Sequence, residues 1–427
     1  MSFNISAVKS LMALDSRGFP TVKAIVSAKK VSGKAICPSG KSKGKFEAAE
    51  LRDKSKDFSG KGVENAIGNI NNKISKALKS IDVRKQSLID RKMLSMDGTK
   101  NKSRLGANAI LPVSLASAAC AANALNIELF DYLSRINKSK KFSLPVPLMN
   151  VVNGGLHAGT ELKIQEFHFI PVMAKTFSEA IRINVEAYHE LKKLIEIDFG
   201  KKATNVGDEG GFALPLDHTE DALDLMVNAV DELGYEKKIF FGLDAASTSF
   251  YNKKKKKYEF DGESIYAEEL VHYWQNLCKK YPIISIEDPF QEEDFQSFSE
   301  LNKLIGGKTR IVSDDLTVTN PERIKKAISL NACNALLVKP NQIGSLTETL
   351  QAVSLARKNN LKIILSHRSG DSEDTFISDL SVALNAEGIK AGAPCRSERT
   401  AKYNRLLEIE FMLGKKAKFI GTSFSVD

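Results

Sequence analysis

The sequence predicts an α/β protein in which a small α+β domain precedes a (β/α)-barrel. Five apolar runs in the second half of the chain each end on a charged or ionisable residue. IFFGLD ends at Asp244, PIISIE at Glu287, TRIVSD at Asp314, ALLVK at Lys339 and KIILSH at His367, at intervals of 43, 27, 25 and 28 residues. A buried parallel strand reads as a continuous apolar run, and most of these intervals hold a helix-patterned stretch, which together make the rhythm of a barrel. The N-terminal third follows a different order, strands first and then a block of helices, as in an α+β unit. A length of 427 residues accommodates both.

ISAVKSLMALDS, PTVKAIVSA and GKAICP form a three-stranded meander over residues 3–38, broken at Arg17-Gly18 and Ser32-Gly33. From Phe46 to Arg135 the apolar spacing turns helical, in VENAIGNINNKISKALKSI and QSLIDRKMLSM. The longest uncharged stretch, residues 105–127, contains three asparagines, Pro112 and many small residues, and so reads as a buried helix rather than a membrane span. The polar run Asn137-Lys138-Ser139-Lys140-Lys141 places the domain boundary, giving 1–137 and 138–427. After it, strands and helices alternate to Leu413.

Five scattered cysteines, odd in number and without a CxxC pair, point to reduced buried thiols and away from a disulfide framework. The N-terminus shows no basic segment followed by an apolar one, so the expected location is cytoplasmic, with no membrane partner. The net charge of +10 is spread along the chain without interleaved aromatics, so nucleic acid is not the expected partner. The densest basic run, 253–257, sits where a hairpin tip is expected.

Residues at the C-terminal ends of barrel strands point into the active-site mouth. Asp244, Glu287 and Asp314 would therefore converge there as hard oxygen donors, which favour Mg²⁺ over zinc. Lys339 would follow one strand later. Burial beside a metal site should lower its pKa and let it act as a base, although the same spacing also suits a structural lysine paired with one of the acids. Lys390, in EGIKAGAP, offers a second cation for a substrate carboxylate. VGDEGGF places Asp208 and Glu209 between glycines, on a ligand-approaching loop or in a tight turn. QEF supplies Glu166, and NGGLHAG supplies His157. Arg368-Ser369-Gly370, directly after His367, combines guanidinium, hydroxyl and free N–H as a phosphate clamp would. PSGKSKG offers a hydroxyl to a metal or phosphate, or forms a plain surface turn. A metal, a lysine base and a distant carboxyl acid together describe proton abstraction α to a carboxylate.

The strings DSRGFPTV, PSGKSKG, AAELRD, MDGTKNKSRLGANAIL, VPLMNVVNGGLHAG, QEF, NVGDEGGF, GLDAAS, SIEDPF, DDLTVTNP, LLVKPNQIGSLTET, SHRSGDSEDTFISDL and IKAGAPCRSER together closely resemble the enolase family over essentially the full chain. The resemblance implies an N-terminal α+β domain capping an enolase-type (β/α)8 TIM-like barrel that opens ββαα, and reversible dehydration of 2-phospho-D-glycerate to phosphoenolpyruvate in glycolysis and gluconeogenesis. It further implies Lys339 as base at C2 and Glu209 as acid at the C3 hydroxyl. Asp244, Glu287 and Asp314 would hold one Mg²⁺, and Ser42 a second that arrives with substrate. Lys390 would meet the carboxylate, Arg368 and Ser369 the phosphate, and His157, Glu166 and His367 would complete the polar shell.

Several positions depart from the family pattern. The usual SGAST loop is here Ser39-Gly40-Lys41-Ser42-Lys43, whose two lysines are expected to alter loop closure. Pro112 stands for a usual glycine and is harmless in a helix's first turn. Lys23 and Glu408 reverse an ion pair associated with the family's dimer, and a second such pair becomes Leu11 and Phe411. A homo-oligomer through the first strand and the 408–411 segment is therefore expected.

Overall fold

The computed structural model describes residues 2–41, 44–139 and 141–425. The first three strands, β1 (Ile5–Leu14), β2 (Pro20–Ala28) and β3 (Val31–Ile36), form the expected antiparallel meander. Helices follow: α1 (Glu64–Gly68) and α2 (Ser75–Leu78), continuous through a π-helical turn, then α3 (Gln86–Asp97), α4 (Ala107–Leu125) and α5 (Leu129–Ile136). The uncharged segment is α4, buried on β2 and β3 rather than laid open. Its small residues permit close approach. A Cβ on Gly33 of β3 would lie 2.1 Å from the Cys120 backbone nitrogen and 2.3 Å from the Ala116 carbonyl oxygen. Pro112 falls in the second turn of α4, not its first, so the Asn108 carbonyl has no i+4 amide to accept from.

The barrel begins with β4 (Val146–Asn153), the short α6 (Gly155–Ala158) and β5 (Glu166–Ile170). There follow α7 (Phe177–Phe199), β6 (Phe212–Ala213), α8 (Thr219–Asp231) and β7 (Phe240–Asp244). A small hairpin layer of β8 (Tyr251–Asn252), β9 (Lys257–Phe260) and β10 (Glu263–Ile265) carries the basic run at its tip. The regular repeat then runs α9 (Ala267–Lys280), β11 (Ile283–Glu287), α10 (Phe295–Ile305), β12 (Arg310–Ser313), α11 (Pro321–Ser329) and β13 (Ala335–Val338). It ends with α12 (Pro340–Ile343), α13 (Leu346–Lys358), β14 (Lys362–Ser366), α14 (Phe376–Ala383), β15 (Gly388–Lys390) and α15 (Ser397–Leu413).

Eight strands close in the order β4-β5-β7-β11-β12-β13-β14-β15, with β15 returning to β4. All pair in parallel except β5, which is antiparallel to both β4 and β7, so the barrel does open ββαα. Side-chain caps start the helices that follow several strands. Thr176 accepts from the Glu179 amide, Asp294 from Ser297, Asn320 from Glu322 and Ser345 from Glu348. Inside the lower barrel, Val146, Leu148, Ile170, Val312 and Ile364 form an apolar layer.

The meander reaches that upper end. The Ser39 and Gly370 backbones exchange hydrogen bonds of 2.8 and 2.9 Å, the Ser16 amide donates to the Asp371 carbonyl, and the Ile36 amide donates to Asp374 Oδ2 at 2.8 Å. The N-terminal unit thus closes over the mouth of the barrel.

Candidate active site

At the upper end lies a cavity of about 250 Å³, lined by Glu166, Glu209, Asp244, Asp314, Lys339, His367, Arg368, Ser369 and Lys390 among others. Strand register explains the gathering of acids. Glu166 of β5, Asp244 of β7 and Glu287 of β11 are direct neighbours across three adjacent strands, forming one row of carboxylates. The Lys390 ammonium from β15 sits among them, 2.6 Å from Asp244 Oδ2, 2.9 Å from Glu287 Oε2 and 3.1 Å from Glu166 Oε1. Burial works against its charge, but Asp244, Glu166 and Glu287 hold its pKa well above the usual lysine value. Burial and the neighbouring Asp244 charge push Glu287 well above the carboxylate range. Glu166 is also opposed by burial, yet Lys390 and a hydrogen bond from His168 hold it well below that range.

Lys339, one residue beyond β13, pairs with Asp314, one residue beyond β12. The expected lowering of the lysine pKa is not found. Burial does act that way, but the Asp314 carboxylate beside the ammonium outweighs it, and the pKa is raised. Gln342 Nε2 donates to the second Asp314 oxygen at 2.8 Å. Two further acids, Asp288 and Asp315, follow Glu287 and Asp314 directly in the chain. Asp288 adopts a left-handed backbone (φ 44°), a costly conformation for a residue with a side chain, and its carboxylate accepts the Asp314 and Asp315 amides at 3.0 and 2.7 Å. Burial and the Asp314 charge push Asp315 up to about 8. Among the described residues, the acids that bring one oxygen each to within 4.8 Å of one another are Asp288, Asp314 and Asp315; of the expected trio, Asp244 and Glu287 pair instead with Lys390.

The donor set nevertheless suits a hard divalent cation. Glu166, Asp244, Glu287, Asp288, Asp314 and Asp315 face Lys339 and Lys390, and three of these acids are driven toward protonation by burial and mutual repulsion. An excess of buried carboxylate oxygen matches Mg²⁺ chemistry.

Across the cavity, Glu209 accepts from Asn153 Nδ2 at 2.8 Å. Arg368 forms a buried pair with Glu47 at 2.9 Å, and Ser369 Oγ accepts from the Lys41 amide at 2.7 Å. The Lys41 ammonium lies 3.2 Å from Asp208 Oδ2, tying the PSGKSKG segment to the loop that carries Glu209. His367 receives a hydrogen bond at Nδ1 from Arg399. Ser42 and the His157 side chain lie outside the described residues. Sequence reasoning missed Asp288, Asp315, Glu47, His168 and Arg399. The acidic doublets at 287–288 and 314–315 were a usable signal, whereas nothing local marks Glu47 as the partner of Arg368.

Two family descriptions match the chain: the enolase N-terminal domain over residues 5–133 and the enolase C-terminal TIM barrel domain over residues 141–427. The chain belongs to the enolase family. Similar enolases include that of Methanococcus vannielii, 48% identical over 426 residues covering 100% of this chain and 99% of the relative. The enolase of Thermococcus gammatolerans is 50% identical over 424 residues, covering 99% and 98%. That of Methanocaldococcus jannaschii is 51% identical over 423 residues, again covering 99% and 98%. The closed barrel with its small antiparallel sheet is the architecture these enolase domains describe.

Proposed function

We propose that the protein catalyses the reversible dehydration of 2-phospho-D-glycerate to phosphoenolpyruvate, as a carbon–oxygen lyase of glycolysis and gluconeogenesis. The observation that carries this reading is one cavity lined by Lys339 and Glu209 together with Lys390, Arg368 and Ser369. Lys339 takes the C2 proton of the substrate, leaving the electron pair delocalised into the carboxylate. Collapse of that pair forms the C2–C3 double bond and breaks the C3–O bond, and Glu209 gives its proton to the departing hydroxide, which leaves as water. Lys390 neutralises the substrate carboxylate, and Arg368 and Ser369 hold the phosphate. His157, Glu166 and His367 complete the polar lining.

Asp244, Glu287 and Asp314 would hold one Mg²⁺, and Ser42 a second that arrives with substrate. Bound there, the metal would supply Lewis-acid charge at the carboxylate, and Asp314, as one of its ligands, would hold the Lys339 proton less tightly. Asp288 supports this set by fixing the loop after β12, its carboxylate accepting the Asp314 and Asp315 amides.

The reading extends to organisation. The chain divides at 137/138 into a capping domain and the barrel, works in the cytoplasm, and forms a homodimer through β1 and the 408–411 segment. Leu11 is 46% exposed and Phe411 88% exposed, leaving apolar surface for a second copy. Within one chain Lys23 reaches Glu373 only at 3.9 Å, and Glu408 reaches Arg405 at 3.3 Å, so both remain at the surface for a partner.

The test is the ultraviolet rise of phosphoenolpyruvate from 2-phosphoglycerate, with Mg²⁺ and then with EDTA. A metal-dependent rise supports the reading. No rise from folded, metal-loaded protein would overturn it in favour of another carboxylate substrate.

A further inference from the structure

Arg399, fully buried in the first turn of α15, is the largest charged side chain at the cavity that the dehydration reading leaves without a task. Its Nη1 lies 2.7 Å from His367 Nδ1 and 2.6 Å from the Arg368 carbonyl oxygen, while Nη2 lies 2.6 Å from the Ser369 carbonyl and 3.0 Å from the Asp208 carbonyl. Its Nε is 3.4 Å from Glu398 Oε1. A guanidinium has donors only and keeps its charge at any working pH. The His367 nitrogen facing it must therefore present a lone pair, and the ring proton must sit on Nε2.

We infer that Arg399 is a positioning residue that locks His367 as the neutral Nε2–H tautomer, so that the ring serves the bound substrate as a hydrogen-bond donor and not as an acid or base. The surroundings agree. Burial, then the Arg399 charge, hold the His367 pKa well below its ordinary value; Lys390 and Lys339 act the same way, and Glu166 alone opposes them. The remaining nitrogen is the one left to the cavity that His367 lines, where the carboxylate and phosphate oxygens of an anionic substrate are acceptors. The same guanidinium ties three consecutive residues of the phosphate side, 367–369, to the residue just before Glu209. One buried cation thereby sets the spacing between the phosphate clamp and the acid. The inference rests on the dehydration reading for the identity of the ligand alone.

The test is long-range proton–nitrogen NMR of the full chain labelled with ¹⁵N-histidine, without substrate, assigning His367 against His367→Gln. The expected spectrum shows an unprotonated Nδ1 and a protonated Nε2, unchanged from about one unit below to about two units above the ordinary histidine pKa near 6.5. An Nδ1–H tautomer, or a ring that titrates in this range, overturns the inference. In Arg399→Met, loss of the facing donor should let a proton onto Nδ1, so that the Nδ1–H tautomer appears, while burial still holds the ring pKa below its ordinary value. The KM for 2-phosphoglycerate should rise roughly tenfold with the loss of a fixed donor. Arg399→Lys, which keeps a donor for Nδ1, should restore most of the KM. A Met variant that folds and keeps the wild-type tautomer and KM overturns the positioning role, and a variant that fails to fold leaves the wild-type spectrum to decide. If the spectrum is as expected yet no dehydration occurs, the functional reading has failed and the tautomer assignment has not.

Discussion

Lys390 Nζ and Asp244 Oδ2 lie 2.6 Å apart inside a barrel mouth otherwise dominated by acids, so this ammonium is the counter-charge that makes the row Glu166–Asp244–Glu287 tolerable. Removing one member of a buried ion pair leaves the other uncompensated, at a cost of about 3–5 kcal/mol. Lys390→Ala should therefore lose about that much stability in EDTA, and Mg²⁺ should restore a larger share than it adds to the wild type, since the ion would replace the missing charge. Thermal unfolding of both proteins with and without Mg²⁺ measures this. Equal metal responses would mean that the ion binds away from these carboxylates.

Lys339 and Glu209 face the cavity from different elements, and their proposed tasks separate cleanly. Lys339→Ala should abolish exchange of the substrate C2 proton with solvent, whereas Glu209→Gln should spare that exchange and block loss of the C3 hydroxyl. Each should lower kcat by at least the hundredfold typical of a general acid or base. Deuterium uptake into recovered 2-phosphoglycerate distinguishes them, and uptake that persists in the Lys339 variant removes it as the base.

The strand-end residues were legible because each barrel strand is a short apolar run whose last position must face the mouth. Asp244 and Glu287 end β7 and β11, and Asp314, Lys339 and His367 stand one residue past β12, β13 and β14. Direction was not legible from such a run. EFHFI in β5 reads like its neighbours yet runs antiparallel, and only the family resemblance supplied the ββαα opening. Partner choice was equally hidden. Which acid a lysine meets depends on barrel geometry, so the pKa of Lys339 moved opposite to expectation, and Arg399, 32 residues from His367, carried no local mark.

Asp90 of α3 crosses between the two units. It is fully buried and accepts from the Thr347 amide at 2.9 Å, in the first turn of α13, and from Gln86 Nε2 at 3.1 Å. Burial, only partly offset by these hydrogen bonds, raises its pKa. The folded state then binds this proton more tightly than the unfolded state, whose value is near 3.9, so the contribution to stability is present below that pH and is lost as pH rises through the folded value. Asp90→Asn should be close to the wild type at about pH 4 and gain on it steadily as pH rises. Urea midpoints between pH 4 and 8 provide the check; parallel curves would show that the carboxyl stays ionised in both states.

Phe411, 88% exposed near the C-terminal end of α15, and Leu11 on β1 are the exposed apolar residues that the proposed dimer would bury. Phe411→Asp should shift the protein toward monomer in sedimentation at micromolar concentration, because a charge there must be desolvated on association. An unchanged sedimentation coefficient would move the interface elsewhere.

The opposite end of the barrel is sealed by the chain's own tail. Phe424 enters the apolar layer formed by Val146, Leu148, Ile170, Val312 and Ile364, and Gly388 leaves it room: a Cβ there would lie 3.0 Å from the Phe424 ring. Arg310, at the start of β12, fixes the tail by donating from Nε to the Phe424 carbonyl and from Nη2 to the Ser425 carbonyl, each at 2.8 Å. Phe424→Ala opens a void in a layer with little freedom to collapse, since each of its members is held by a strand of the closed sheet. The expected cost is about 3–5 kcal/mol, with most of it recovered in Phe424→Leu. The proposed catalytic residues sit at the other end of the strands, so KM for 2-phosphoglycerate should stay within about twofold while the unfolding midpoint falls. A loss of activity at unchanged stability would instead make the tail part of the site; an unchanged midpoint would mean the ring fills no space that the barrel needs.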